Sequence, residues 1–230
     1  MKRAYVKTEY IKSLSPQAFA ALTGILLSSY DESLADDWVT TRPFTIASVL
    51  TGKEPTRRDL KIVAKGFKEL VDLGILTVYR LGDYVINYSK IERTNEPFVC
   101  LDKKEVRKII NSDEDVRRTS LLQYFAYLKS TFNYKNGIGN EALSFYCKGF
   151  EKNLVTIIKY HSVLEKLGIL KIFRFKPIRR DGVTQKPKNI YCCPEDEKSA
   201  LKYALSKGYS LRLKEDAAED EGLESDDSEK

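Results

Sequence analysis

Leu70-Val71-Asp72-Leu73-Gly74-Ile75-Leu76-Thr77-Val78-Tyr79-Arg80 returns 94 residues later as Leu164-Glu165-Lys166-Leu167-Gly168-Ile169-Leu170-Lys171-Ile172-Phe173-Arg174. Each copy reads as the end of an amphipathic helix, a glycine that stops it, and a short strand rich in β-branched residues. One such turn is commonplace. Two in register, each preceded by a similar helical layout and followed by a second strand, indicate duplication of one small module.

Working outward from the first copy, Ser15-Pro16 opens a helix as N-cap and N1 proline. Phe19, Leu22, Ile25 and Leu26 supply its apolar period. Trp38 to Thr41 reads as a short strand and Phe44 to Leu50 as a second helix closed by Gly52. Thr56 caps a third helix with Leu60, Val63, Phe67, Leu70 and Val71 inward. Strands over Ile75–Arg80 and Tyr84–Tyr88 follow. Around the second copy, a helix over Asp102–Asn111 leads into one marked by Leu121, Leu122, Phe125, Leu128 and Phe132. A turn at Asn136–Gly139 precedes a short helix over Ala142–Cys147. Asn153 caps the next helix, with Leu154, Ile157, Ile158, Leu164 and Leu167 inward. Two strands, Ile169–Phe175 and Asn189–Cys193, are joined by a long loop, and a last helix runs from Pro194 to about Lys207.

The expected class is α+β, mainly helical. The expected domains are 1–90 and 102–210, joined by a linker at 91–101 and followed by a tail at 211–230. At 230 residues the chain has room for two domains of ordinary size. No apolar run approaches the ~20 residues of a membrane span, and the basic N-terminus lacks the apolar core of a secretion signal.

Charge is polarised along the chain. Residues 214–230 hold nine acids against Lys214 and Lys230, so the net +6 divides into +13 over residues 1–213 and −7 over the tail. A basic body suits a polyanionic partner, and an acidic tail with little to bury is expected to be disordered. The four cysteines, Cys100, Cys147, Cys192 and Cys193, have no C-x-x-C spacing, and His161 is the only histidine. A zinc site is not expected; reduced thiols in a cytoplasmic protein are.

Two regions carry the candidate contacts. In the third helix of the first module Thr56, Arg57, Arg58, Lys61 and Lys65, with Lys68 beyond, lie off the apolar stripe. Its counterpart offers Lys152, Asn153, Thr156, Lys159 and Tyr160. Asn153 has two readings, a bidentate contact to adenine or a helix cap. The second hairpin, its first strand and the loop from Lys176 to Lys188, holds Lys171, Arg174, Lys176, Arg179, Arg180, Lys186 and Lys188 around the tip Arg180-Asp181-Gly182, with only Asp181 as a local counter-charge. Such a tip suits a narrow minor groove or the phosphate backbone. The alternative for every cation is a solvated face. His161 stands where the first copy has Phe67, so a structural histidine is expected.

Nothing points to catalysis. There is no phosphate-binding glycine loop, nucleophile elbow or histidine metal cluster. One histidine cannot build the metal triad that nicking tyrosines use, and Tyr146 and Tyr160 read as packing residues. No cofactor is expected.

The order helix, strand, helix, turn, helix, hairpin, together with the repeated L-G-I-L-x-[VI]-[YF]-R transition, resembles the winged helix-turn-helix superfamily over residues ~14–193. Tandem winged helices in a chain of this length resemble plasmid or phage replication initiators. The resemblance implies sequence-specific binding of double-stranded DNA, with third helices in the major groove and replication or transcription proteins docking on the acidic tail. A transcriptional repressor or regulator is the alternative expectation, and a winged-helix scaffold for other proteins a third. Oligomeric state is left open.

Overall fold

The computed structural model describes residues 2–28, 38–81, 84–90, 97–180, 183–185 and 187–211, in an α+β arrangement of two compact units, 1–130 and 131–230. Among the described residues no helix is long and apolar enough to cross a membrane. The acidic tail beyond Leu211 lies outside them.

The first unit comprises β1 (Arg3–Lys7), α1 (Tyr10–Ser13), α2 (Pro16–Ser28), β2 (Trp38–Thr41), α3 (Pro43–Thr51), α4 (Arg57–Asp72), β3 (Thr77–Leu81), β4 (Tyr84–Lys90), β5 (Phe98–Asp102), α5 (Lys103–Ile110) and α6 (Arg118–Ser130). Helix α2 is its centre: residues 18–25 are all buried, because α3, α4, α6 and β1 pack around it. Ser15 caps α2 as expected, its Oγ accepting from the Ala18 N–H at 3.2 Å. Strands β2, β4 and β3 form an antiparallel sheet in that order.

The second unit comprises β6 (Ile138–Gly139), α7 (Leu143–Phe150), α8 (Leu154–Lys166), β7 (Lys171–Phe173), β8 (Ile178–Arg180), β9 (Val183–Gln185), β10 (Ile190–Cys192) and, after a 3-10 turn at Pro194–Asp196, α9 (Glu197–Ser206). Its sheet runs β6-β10-β7, with β8 and β9 a separate hairpin inserted between β7 and β10. Ile138, Phe175, Ile190 and Cys192 pack with Ala200 and Ala204 of α9. The order short strand, late strand, middle strand therefore occurs twice.

The repeated phrase is the same structure in both units. Gly74 and Gly168 adopt φ of 69° and 62°, a conformation that costs glycine nothing. In the first unit the Leu73, Gly74, Ile75 and Leu76 N–H groups donate to the carbonyls of Glu69, Val71, Leu70 and Leu70. In the second, Leu167, Gly168, Ile169 and Leu170 donate to Val163, Glu165, Leu164 and Leu164, the same positions shifted by one repeat. Because these caps occupy the N–H groups of Ile75, Leu76, Ile169 and Leu170, pairing starts at Thr77 and Lys171, two residues later than expected.

Three expectations are corrected. The stretch 91–101 was expected to be a linker, yet Phe98–Asp102 is a strand that pairs antiparallel with Arg3–Lys7 in the register Tyr5 to Cys100. The helix after it was expected to open the second domain, but α5 and α6 belong to the first unit. The Asn111 amide donates to Thr51 O at 2.6 Å and Arg107 Nε to Val49 O at 3.2 Å, satisfying carbonyls at the end of α3. Gln123 Nε2 donates to Ile11 O and Leu14 O, both at 2.8 Å, fastening α6 to the start of the chain. These partners are 58 to 112 residues apart, beyond the reach of any local pattern. Finally, the expected turn at Asn136–Gly139 contains β6, since Ile138 and Gly139 pair with Cys192 and Tyr191.

Candidate nucleic-acid interface

Helix α4 is held at both ends. Thr56 Oγ1 accepts from the Asp59 N–H at 3.2 Å, while Asp59 Oδ2 accepts from the Thr56 N–H at 2.9 Å and from its hydroxyl at 2.6 Å. This reciprocal cap commits the Thr56 hydroxyl, so Thr56 serves the helix start. The inward face is Val63, Gly66 and Leu70, with Leu60 and Phe67 half-buried; Val71, expected inward, is exposed. Sequence reading overlooked Gly66, whose signal was a glycine inside a strongly periodic helix.

Arg57, Arg58, Lys61 and Lys65 are all exposed, and none has an acidic partner among the described residues. Spacings of three, four and seven put Arg58, Lys61 and Lys65 on one ridge, with Arg57 one turn before Lys61. Lys68 differs, since its ammonium pairs with Asp72. The exposed ridge is thus purely cationic over the first two turns.

The second unit distributes its candidates differently. Asn153 Oδ1 accepts from the Thr156 N–H at 2.9 Å, which is the cap reading. Lys152 and Lys159 are exposed and Thr156 half-buried; Tyr160 is buried, which is the packing reading and removes it from the candidate contacts. Leu154 and Ile158 were expected inward but are exposed, and the inward face is Ile157, Tyr160, His161, Val163 and Leu164. Helix α8 carries more apolar residues than one side can bury, so periodicity alone misplaced which of them face the core.

The basic loop is also less free than its local sequence implies. Arg174 donates to both oxygens of Glu165, at 3.3 and 3.0 Å, and this fork is committed within the unit. Lys171 lies 3.7 Å from Glu197 and Lys188 3.7 Å from Glu141, exposed pairs of little strength. Counting only Asp181 as counter-charge missed these three acids because they arrive from α8, α9 and the segment before α7. Lys176 is exposed; the side chains of Arg179, Arg180 and Lys186 lie outside the described set.

His161 sits in an aromatic box, its ring 5.8 Å from Tyr146 and 5.0 Å from Tyr191 between centroids. Burial lowers its pKa to about 4, with the Arg174 charge adding to the effect. Burial likewise raises Tyr191 to about 12 and pushes Tyr146 upward. A neutral histidine among phenols held far from ionisation packs the unit. Burial also drives the free thiol of Cys192 up to about 12.

No family model, no curated protein and no solved structure matches this chain.

Proposed function

We propose that this chain is a tandem winged-helix protein that binds double-stranded DNA through α4, in the initiation or control of plasmid or phage replication. The observation that carries the reading is the ridge of Arg57, Arg58, Lys61 and Lys65 at the start of a capped helix, exposed and without acidic partners among the described residues. Those are the turns that a recognition helix turns toward base edges, and arginine matches the two acceptors of guanine. The twice-used strand order and the hairpin β8–β9 support two winged modules, the hairpin serving as the wing of the second. A transcriptional regulator would use the same face.

Anisotropy titrations of a labelled duplex at several salt concentrations test it. Four phosphates neutralised by α4 give a slope of log K against log salt of roughly −3.5, and wing contacts steepen it toward −5 to −7. Arg57→Ala or Arg58→Ala should weaken a selected site about 10- to 100-fold and random duplex much less. Absence of binding at low salt refutes the reading; equal losses on both duplexes refute α4 as the reader. Origin unwinding by the protein separates an initiator from a regulator.

A further inference from the structure

Lys103 and Arg107 stand one turn apart on α5, and neither has an acidic partner among the described residues. Arg107 is pinned. Its Nε donates to Val49 O at 3.2 Å, near the end of α3, and its guanidinium lies against Gly52. A Cβ at Gly52 would sit 2.7 Å from that Nε and 2.8 Å from Cζ, so the close approach exists because the residue is glycine. One of the five guanidinium N–H groups is thereby used, and the two Nη groups make no hydrogen bond to a described residue.

Lys103 is half-buried, and its backbone N–H donates to Lys2 O at 3.1 Å. Burial lowers the Lys103 pKa, and the charges of Arg107 and Lys2 lower it further. The two acids at the helix start are spent within the fold. Asp102 accepts from the Lys104 N–H, and Glu105 accepts from the Lys129 ammonium and the Asp102 N–H. Like charges one turn apart repel each other, and an anion between them relieves that repulsion.

We propose that Lys103 and Arg107 clamp a phosphate, and that this phosphate belongs to the backbone of the duplex bound by α4. The assignment to a duplex rests on the DNA reading above; the clamp itself does not. A fixed guanidinium fork beside a lysine point charge is suited to phosphate. Proximity selects the source. Gly52 lies five residues before Arg57, so even a fully extended chain keeps it within about 18 Å of the first arginine of the ridge. A major groove is about 12 Å wide, which brings its bordering phosphates into that range. Such a contact fixes the register of the protein on the duplex and reads no base.

The test uses the full chain and Lys103→Gln, because removing Arg107 would also orphan the Val49 carbonyl. Lys103→Gln should weaken selected and random duplexes alike, about three- to tenfold, and reduce the slope of log K against log salt by about 0.9. Its melting temperature should hold or rise, since a repulsion is removed. Lys108→Gln, an exposed lysine on the same helix, should change the slope less than half as much. In a second arm, inorganic phosphate should saturate the amide NMR shifts of Lys103 and Arg107, and acetate at equal ionic strength should not. Lys103→Gln should abolish that saturation.

An unchanged slope in a chain that binds duplex overturns the proposal and leaves the DNA reading standing; if phosphate still saturates, the clamp serves a free phosphorylated ligand instead. Equal effects of Lys103→Gln and Lys108→Gln overturn it in favour of diffuse charge, and equal responses to phosphate and acetate overturn the phosphate assignment. A wild-type chain that binds no duplex refutes the DNA reading and the backbone source with it, while phosphate saturation lost in Lys103→Gln still upholds the clamp.

Discussion

Glu69, on the last turn of α4, accepts two hydrogen bonds from Ser15, the residue that caps α2: one from the backbone N–H at 2.9 Å and one from the hydroxyl at 2.6 Å. The end of the proposed recognition helix is thereby tied to the start of the central helix. A carboxylate serves two donors here where a neutral acceptor serves one well. Glu69→Ala should destabilise the first unit by about 1–3 kcal/mol, and Glu69→Gln by roughly half as much, measured by urea denaturation. A loss below ~0.5 kcal/mol for the alanine variant would mean the tie contributes little.

Gly66 sets how closely those helices approach. A Cβ there would lie 2.2 Å from Gln17 O and 2.8 Å from Ala18 N, both backbone atoms of the α2 start. Gly66→Ala should therefore cost about 2 kcal/mol or more, although alanine raises helix propensity by ~1 kcal/mol. Exposed Ala64→Gly on the same helix should cost only about 1 kcal/mol, by propensity alone. The ordering of the two variants in a denaturation series checks the close approach.

Glu151 closes α7 with φ of 52°, the sole positive-φ residue other than glycine among those described. The matching end of α3 uses Gly52 at φ of 72°. Glu151→Gly should stabilise the second unit by about 0.5–1 kcal/mol, relief of the left-handed conformation outweighing the greater entropy of glycine in the unfolded chain. A lower midpoint of unfolding would show that the Glu151 side chain does something glycine cannot.

Acid should weaken the second unit through His161. Its pKa falls from 6.5 to about 4 on folding, so the unfolded chain binds the proton more readily. Stability from this group is complete above pH 6.5, declines as pH falls toward 4, and is lost below that. The full effect is on the order of 3 kcal/mol. His161→Phe, which installs the residue that the first copy has at position 67, should flatten the pH dependence between 4 and 6.5. An unchanged slope would place the acid sensitivity elsewhere.

The two helix-to-strand transitions were legible in the sequence because each is local. A leucine pair, a glycine able to take positive φ, and β-branched residues lie within eleven positions, and the same hydrogen bonds form in both copies. The caps Ser15, Thr56 and Asn153 were legible for the same reason, each closing over three residues. The cationic ridge of α4 was legible because a helix with one strong apolar stripe leaves its other face no choice.

Tertiary structure decided the rest. Whether Phe98–Asp102 joins or separates depends on Arg3–Lys7, some ninety residues earlier, and hydrogen-bonded pairing between such segments leaves no periodic mark. Arg174 and Glu165 look like members of a basic loop and an ordinary helix until the fold brings their charges to 3.0 Å. In α8 nearly every early position is apolar, so composition cannot say which side is buried. Packing buries Ile157 and leaves Leu154, Val155 and Ile158 outside. A helix's own sequence marks its apolar residues, but only the neighbours it packs against determine how many of them leave water.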